Sequence, residues 1–107
     1  MKRLLFVCSR NRLRSPTAQE VFSDYDGIEV DSAGLSKDAD TVLSEDQVAW
    51  ADVVIVMEKI HRERLNRKFG HVLKGKRVAV LGIPDDYDFM DPALIDLLKN
   101  RCAPHLP

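Results

Sequence analysis

The sequence has no long apolar run, few cysteines and no excess of charge of either sign. Its longest clear apolar stretch, Val53–Met57, has the length of a buried strand, whereas a helix needs about 18–20 residues to span a bilayer. Only two cysteines occur, Cys8 and Cys102, so there is no disulfide framework and a cytoplasmic location is expected. With 16 basic and 17 acidic residues, neither a nucleic-acid nor a membrane partner is expected.

Metal ligands and export signals are also scarce. The three histidines, His61, His71 and His105, lack the spacing of a metal site, so no metal and no cofactor are expected. Residues 1–8 begin like a signal peptide, but their apolar part is too short for one. A hydrophobic content of 45% with a net charge of -1 excludes intrinsic disorder. The length predicts a single domain over residues 1–107.

What the sequence does contain is an alternation of short apolar runs with longer amphipathic stretches. Strands are predicted at Leu4–Cys8, Ile28–Ser32, Asp52–Met57 and Arg77–Leu81. Helices are predicted at Ser15–Tyr25, Ser44–Trp50, Glu58–Phe69 and from Pro92 to about Arg101. The expected N-caps are Ser15, Ser44 and Asp91, and Gly70 is expected to end the third helix. This order predicts an α/β fold with a small four-stranded parallel sheet flanked by helices on both faces.

In such a fold, ligands bind outside the carboxyl ends of the strands. The segment Cys8–Pro16 leaves the first strand there and enters the first helix. A turn of this length can direct its backbone N–H groups toward one point, and the helix N-terminus adds unpaired N–H groups with a partial positive charge. The segment therefore predicts an anion site of the size of a phosphate group.

Four side chains of this segment suit phosphoryl chemistry. The field of the helix favours a thiolate at Cys8, which would be a nucleophile in line with a bound phosphorus atom. Arg14 can present its planar guanidinium to two phosphoryl oxygens. Asn11 tolerates the left-handed backbone of a tight turn, and the Ser15 hydroxyl could donate to the sulfur. The alternative for Cys8 is a buried structural cysteine, a common position for this residue type.

The motif Cys8-x-x-Asn11-x-x-Arg14-Ser15-Pro16-Thr17-Ala18 resembles the active-site signature of the low-molecular-weight protein tyrosine phosphatases. Further matches follow in order at Asp31–Gly34, Ala51–Glu58 and Ile83–Tyr87. The resemblance implies a phosphatase-like, flavodoxin-like three-layer sandwich. It implies a cysteine-dependent phosphomonoester hydrolase, a protein-tyrosine phosphatase that forms a phosphocysteine intermediate. The implied partner is a phosphorylated protein or another phosphomonoester.

The same resemblance assigns roles to the residues of this segment. Cys8 attacks phosphorus, and Arg14 binds the phosphoryl oxygens together with the backbone of the loop. An aspartate protonates the leaving oxygen and then activates water. The substrate-binding residues implied are Ser9, Arg10, Asn11, Arg12, Leu13 and Ser15.

Several aspartates after the fourth strand are candidates for the general acid. Asp91 and the proline after it copy the family's Asp-Pro dipeptide, but a helix N-cap already accounts for both residues. Asp85 lies just past the strand and two residues before Tyr87, which matches the family's spacing. Asp85 is therefore preferred, and Asp86 and Asp91 stay open.

The sequence also departs from the family. It is expected to be a shortened member, with length missing between Gly34 and Trp50, where the family carries an aromatic wall of the phosphotyrosine cleft. Tyr87 is the candidate for a replacement wall, and Leu13 stands where many members have a second cysteine. Preference for phosphotyrosine stays open. Two other functions also stay open: a non-catalytic phosphate- or phosphoprotein-binding module, and an arsenate-reductase-like thiol redox enzyme.

Overall fold

Four parallel strands form the centre of the molecule, and the computed structural model describes all 107 residues. The strands are β1 (Lys2–Cys8), β2 (Ile28–Gly34), β3 (Val53–Val56) and β4 (Arg77–Val80). Their order across the sheet is β2-β1-β3-β4. The strand order therefore reverses between β1 and β3, which is where open sheets of this kind place their ligands. The predicted four-stranded parallel sheet is confirmed, with ends that differ by one or two residues.

Helices cover both faces of the sheet, as predicted. They are α1 (Arg14–Phe22), α2 (Glu45–Trp50), α3 (Lys59–Leu73) and α4 (Pro92–Cys102), followed by a 3-10 turn at Ala103–His105. The helices α1 and α4 contact each other, as do α2 and α3. None of the helices combines the length and the apolar character needed to cross a membrane.

Each face of the sheet buries its own apolar cluster, because successive strand residues point to opposite faces. On one face, Leu4 and Phe6 of β1 pack in the cluster that includes residues of α1 and α4. On the other face, Leu5 and Val7 pack in the cluster that includes residues of α2 and α3. Burial on both faces fixes the central strand β1, and Cys8 at its carboxyl end is only 3% exposed.

Two of the three predicted helix caps are confirmed. Ser44 caps α2, since its hydroxyl accepts from the Gln47 N–H at 3.3 Å, and Asp91 Oδ1 accepts from the Ala93 N–H at 2.9 Å. The prediction for Ser15 is wrong, because α1 begins one residue earlier and Ser15 lies inside it. The Ser15 hydroxyl is directed instead at the sulfur of Cys8.

The predicted end of α3 is confirmed only in part. Helical geometry breaks at Phe69, the predicted last residue, whose φ is −127°, but helical turns resume beyond this kink and run to Leu73. Gly70 has no positive φ, so it is not the left-handed glycine cap that was predicted. Leu73 is 7% exposed and belongs to the second core cluster. Burial of this side chain explains why the helix extends past a residue of low helix propensity.

Candidate active site

A cleft of about 320 Å³ opens at the carboxyl end of β1. It is lined by Cys8, Ser9, Arg10, Arg12, Leu13, Arg14 and Asp85. All of these residues were predicted for the site. The two other predicted residues, Asn11 and Ser15, are buried and form hydrogen bonds with the sulfur of Cys8. The structure thus brings together all nine predicted residues. We call residues 8–14 the Cys8 loop.

Two hydrogen-bond donors converge on the sulfur of Cys8. The Asn11 backbone N–H donates to Sγ at 3.3 Å, and Ser15 Oγ lies 2.9 Å from Sγ. Ser15 Oγ also accepts from Asn11 Nδ2 at 2.9 Å, and its own hydrogen is available to donate to the sulfur of a Cys8 thiolate. Donors to sulfur stabilise a negative charge on it. Asn11 has a φ of 55°, the left-handed backbone predicted for this position.

The carbonyl groups at the start of the Cys8 loop point away from the cleft. They accept backbone hydrogen bonds from the segment that follows β2, residues 35–42, which we call the support segment. Because the C=O and N–H groups of a trans peptide point in opposite directions, the N–H groups of the loop face the other side. The pairs are Cys8 O with Leu35 N at 3.0 Å, Ser9 O with Ser36 N at 2.9 Å, and Arg10 O with Asp40 N at 3.0 Å.

Gly34 allows the Cys8 loop and the support segment to approach this closely. A Cβ atom at Gly34 would lie 2.6 Å from the Ser9 carbonyl oxygen and 2.6 Å from the Ala39 Cβ. Neither atom belongs to a flexible side chain that could move aside. Glycine at the end of β2 is therefore a packing requirement of the site.

The guanidinium of Arg14 is held from two sides of the cleft and is 4% exposed. Its Nη1 group donates to the Ile83 carbonyl at 2.8 Å and to the carboxylate of Glu58. Its Nε lies 3.6 Å from Asp85 Oδ1. Because Nη1 carries two hydrogens and uses both, while Nε faces Asp85, the Nη2 group is left for an oxyanion.

Asp85 is the one candidate acid that lines the cleft. Its side chain is 62% exposed and faces Arg14. Asp91 is occupied as the N-cap of α4, and Asp86 is exposed and does not line the cleft. Geometry therefore favours Asp85 among the three.

The rim of the cleft is charged and has no aromatic wall. Arg12 Nε lies 3.1 Å from Asp40 Oδ1, and Arg10 Nε lies 4.0 Å from Asp38 Oδ2. All four side chains are exposed, so these pairs contribute little to stability. Tyr87 does not replace the missing wall, because it packs against the core cluster beneath α1 and α4 and does not line the cleft.

Sequence reasoning missed two residues of the site, Glu58 and His61. His61 is 1% exposed; its Nε2 lies 3.1 Å from Ser9 Oγ, and its Nδ1 accepts from the Glu58 backbone N–H at 3.1 Å. Burial and the nearby Arg14 lower the pKa of His61 from 6.5 to about 4. One signal was available: the two residues lie at the N-cap and N3 positions of α3, directly after a strand that ends at the site.

The second cysteine, Cys102, takes no part in the cleft. It is fully buried on α4 and unpaired, and burial raises the pKa of its thiol to about 12. A thiol with so high a pKa is unreactive at neutral pH. No group of three or more His, Cys, Asp or Glu side chains is arranged to hold a metal ion.

No protein-family model matches the chain, and no curated protein matches it. Solved structures match it along almost all of its length. The low-molecular-weight protein tyrosine phosphatase SP-PTP from Streptococcus pyogenes has a TM-score of 0.81 at 17% identity, covering 100% of this chain and 95% of that chain. The tyrosine phosphatase Wzb from Escherichia coli K30, in complex with phosphate, has a TM-score of 0.77 at 20% identity, and the match covers 97% of this chain and 95% of that chain. The YwlE arginine phosphatase from Geobacillus stearothermophilus has a TM-score of 0.75 at 21% identity, and the match covers 98% of this chain and 92% of that chain.

The chain therefore has the fold of the low-molecular-weight protein tyrosine phosphatases, and the resemblance found in the sequence is confirmed at the level of the fold. The matches cover 92–95% of these three chains. Any shortening relative to them is therefore small.

Proposed function

We propose that residues 1–107 form one phosphatase domain, a cysteine-dependent phosphomonoester hydrolase that acts on phosphorylated protein. The observation that carries the proposal is the surroundings of Cys8. A buried cysteine with two donors on its sulfur lies in a cleft that Arg14 also lines. Such surroundings stabilise a thiolate beside an oxyanion site, which is what nucleophilic attack on phosphorus needs. The fold supports the same conclusion.

In the first step, the Cys8 thiolate attacks the phosphorus of a phosphomonoester and the bond from phosphorus to the leaving oxygen breaks. Asp85, in its acid form, gives a proton to that oxygen. The free N–H groups of Arg14 and the backbone N–H groups of the Cys8 loop bind the remaining phosphoryl oxygens. They stabilise the charge that these oxygens carry in the transition state.

In the second step, water hydrolyses the phosphocysteine. The Asp85 carboxylate accepts a proton from the water, whose oxygen bonds to phosphorus as the bond from phosphorus to sulfur breaks. Inorganic phosphate leaves, Cys8 returns as a thiolate and Asp85 is again an acid. Donation from Ser15 and the Asn11 N–H to the sulfur also makes the thiolate a better leaving group in this step.

Phosphotyrosine is the first substrate candidate, by the resemblance in sequence. A second candidate is phosphoarginine, a phosphoramidate rather than a phosphomonoester. Two observations favour it: the cleft has no aromatic wall, and an exposed carboxylate, Asp85, lies where it could pair with a guanidinium. Turnover of a phosphotyrosine peptide and of a phosphoarginine peptide of the same sequence distinguishes the two. The substrate with the higher kcat/KM identifies the class.

The decisive experiment is hydrolysis of p-nitrophenyl phosphate by the wild-type chain, Cys8→Ser and Cys102→Ala. We expect Cys8→Ser to lose turnover by roughly 10³-fold or more while still binding inorganic phosphate, and Cys102→Ala to keep its turnover. Retained turnover in Cys8→Ser would refute the nucleophile. A wild-type chain that binds phosphate without any turnover would instead be a binding module. Turnover of arsenate with a thiol reductant, in place of the phosphate ester, would indicate the redox function.

A further inference from the structure

A buried histidine joins the Cys8 loop to the start of α3. The side chain of His61 contacts Ser9 of the Cys8 loop through Nε2 and the backbone of Glu58 through Nδ1. We propose that His61 is a positioning residue that turns the Ser9 hydroxyl into an additional hydrogen-bond donor for the phosphoryl group. The proposal rests on the proposed function of the same site, and it assigns to His61 and to the Ser9 side chain a role in binding the oxyanion.

The hydrogen bond from Glu58 determines which nitrogen of His61 carries the proton. A backbone N–H group only donates, so Nδ1 must accept and must be unprotonated. The neutral ring then carries its hydrogen on Nε2, and that hydrogen points at Ser9 Oγ, 3.1 Å away. A ring this deeply buried, with Arg14 nearby, stays neutral at physiological pH.

The direction of this bond fixes what the Ser9 hydroxyl can do. Because Ser9 Oγ accepts from His61, its own hydrogen is free to be donated elsewhere. Ser9 follows the nucleophile directly and lines the cleft, and its backbone is held in place by the bond from Ser36. The Ser9 hydroxyl can therefore donate its hydrogen to an oxyanion that binds in the cleft.

His61 also reaches Arg14 indirectly. Its Nδ1 holds the backbone N–H of Glu58, and the Glu58 carboxylate binds the guanidinium of Arg14. One side chain thus supports two groups of the oxyanion site. The two roles use different nitrogens, so they can be separated by substitution.

His61→Asn and His61→Gln make this separation. The Asn oxygen can accept from the Glu58 N–H as Nδ1 does, but Asn is too short to reach Ser9. The Gln amide can donate to Ser9 as Nε2 does, but it gives up the bond to Glu58. His71→Asn is the matched control, since His71 lies on the same helix and is 63% exposed.

The assay is calorimetric titration with inorganic phosphate, which does not require turnover. We expect His61→Asn and Ser9→Ala each to weaken binding by about tenfold, as for loss of one hydrogen bond to a charged ligand. The double variant should bind no more weakly than either single one, because both remove the same donor. His61→Gln should stay within about threefold of wild type, and His71→Asn should not differ from it.

The proposal is overturned if His61→Asn and Ser9→Ala bind phosphate as wild type does, if their effects add in the double variant, or if His61→Gln is as weak as His61→Asn. The first of these results, together with normal turnover, would leave the proposed function intact. If the variants bind phosphate as expected but the wild-type chain has no turnover, the proposed function is refuted and the role of His61 and Ser9 in binding the oxyanion still holds.

Replacement of a buried histidine can prevent folding, and a second measurement covers that case. Long-range ¹⁵N NMR of the wild-type chain reports the tautomer of His61. We expect a protonated Nε2 and an unprotonated Nδ1. A proton on Nδ1 would reverse the bond to Ser9 and refute the proposal without any variant.

Discussion

Acid should destabilise this protein in part through one deeply buried side chain, His61. The side chain is 1% exposed, and both ring nitrogens are engaged, one of them as an acceptor. Protonation would add a hydrogen to Nδ1, opposite the N–H of Glu58, and would place a cation beside Arg14. His61 therefore binds a proton more weakly in the folded chain than in the unfolded chain.

The size of the effect follows from the two pKa values of His61. The folded value is about 4 and the ordinary value is 6.5, so between them the unfolded state binds more protons than the native state. Stability then rises with pH and is lost on acidification. The loss is up to about 1.4 kcal/mol per pH unit, or about 3 kcal/mol between pH ~7.5 and pH ~4. Domains are typically stable by about 5–15 kcal/mol, so the loss is large enough to measure.

Urea unfolding of the wild-type chain and His61→Gln across this pH range measures the effect. Carboxylates titrate in both proteins, and His105, whose pKa burial also lowers, is present in both. The difference between the two pH profiles therefore isolates His61. We expect wild type to lose about 3 kcal/mol more than His61→Gln, whereas His71→Gln should follow wild type. Parallel profiles for wild type and His61→Gln would refute the argument that His61 is buried and neutral.

The remaining predictions concern two glycines and the candidate acids. Gly34→Ala should weaken phosphate binding and lower the free energy of unfolding by about 1–3 kcal/mol, because its Cβ meets the Ser9 carbonyl; normal binding by a stable Gly34→Ala would contradict that close approach. Gly70→Ala, with open space around the new methyl group, should raise stability by about 0.5–1 kcal/mol in the same denaturation assay. Asp85→Ala should lower turnover of an alkyl phosphate, whose alcohol is a poor leaving group, far more than Asp91→Ala does. Asp91→Ala should instead lower the free energy of unfolding by about 1 kcal/mol, because it removes the N-cap of α4. The reverse order of turnover would identify Asp91 as the acid.

The Cys8 loop could be predicted because its signals are local in sequence. A buried strand, a polar turn and a helix start follow one another, and Asn11 suits the left-handed backbone that it adopts. The role of each residue in this loop is determined largely by residues a few positions away in the sequence. Of the two roles predicted for Ser15, the contact with the Cys8 sulfur is found and only the helix cap is wrong.

The supports of the loop could not be predicted in the same way. His61 lies 52 positions from Ser9, and Glu58 lies 44 positions from Arg14. No periodicity in the sequence indicates which side chains of two such distant segments will meet. The steric need for Gly34 is equally a matter of tertiary packing, since its backbone has no positive φ that a turn would require.

The three backbone bonds between the Cys8 loop and the support segment have a consequence for binding. They form within the folded chain and need no ligand, so the conformational entropy of ordering the loop is lost during folding rather than during association. A preorganised site of this kind loses little affinity to rearrangement. Affinity for phosphate and stability of residues 35–42 are therefore thermodynamically linked, and a substitution that loosens this segment should weaken binding without removing any group that contacts the ligand.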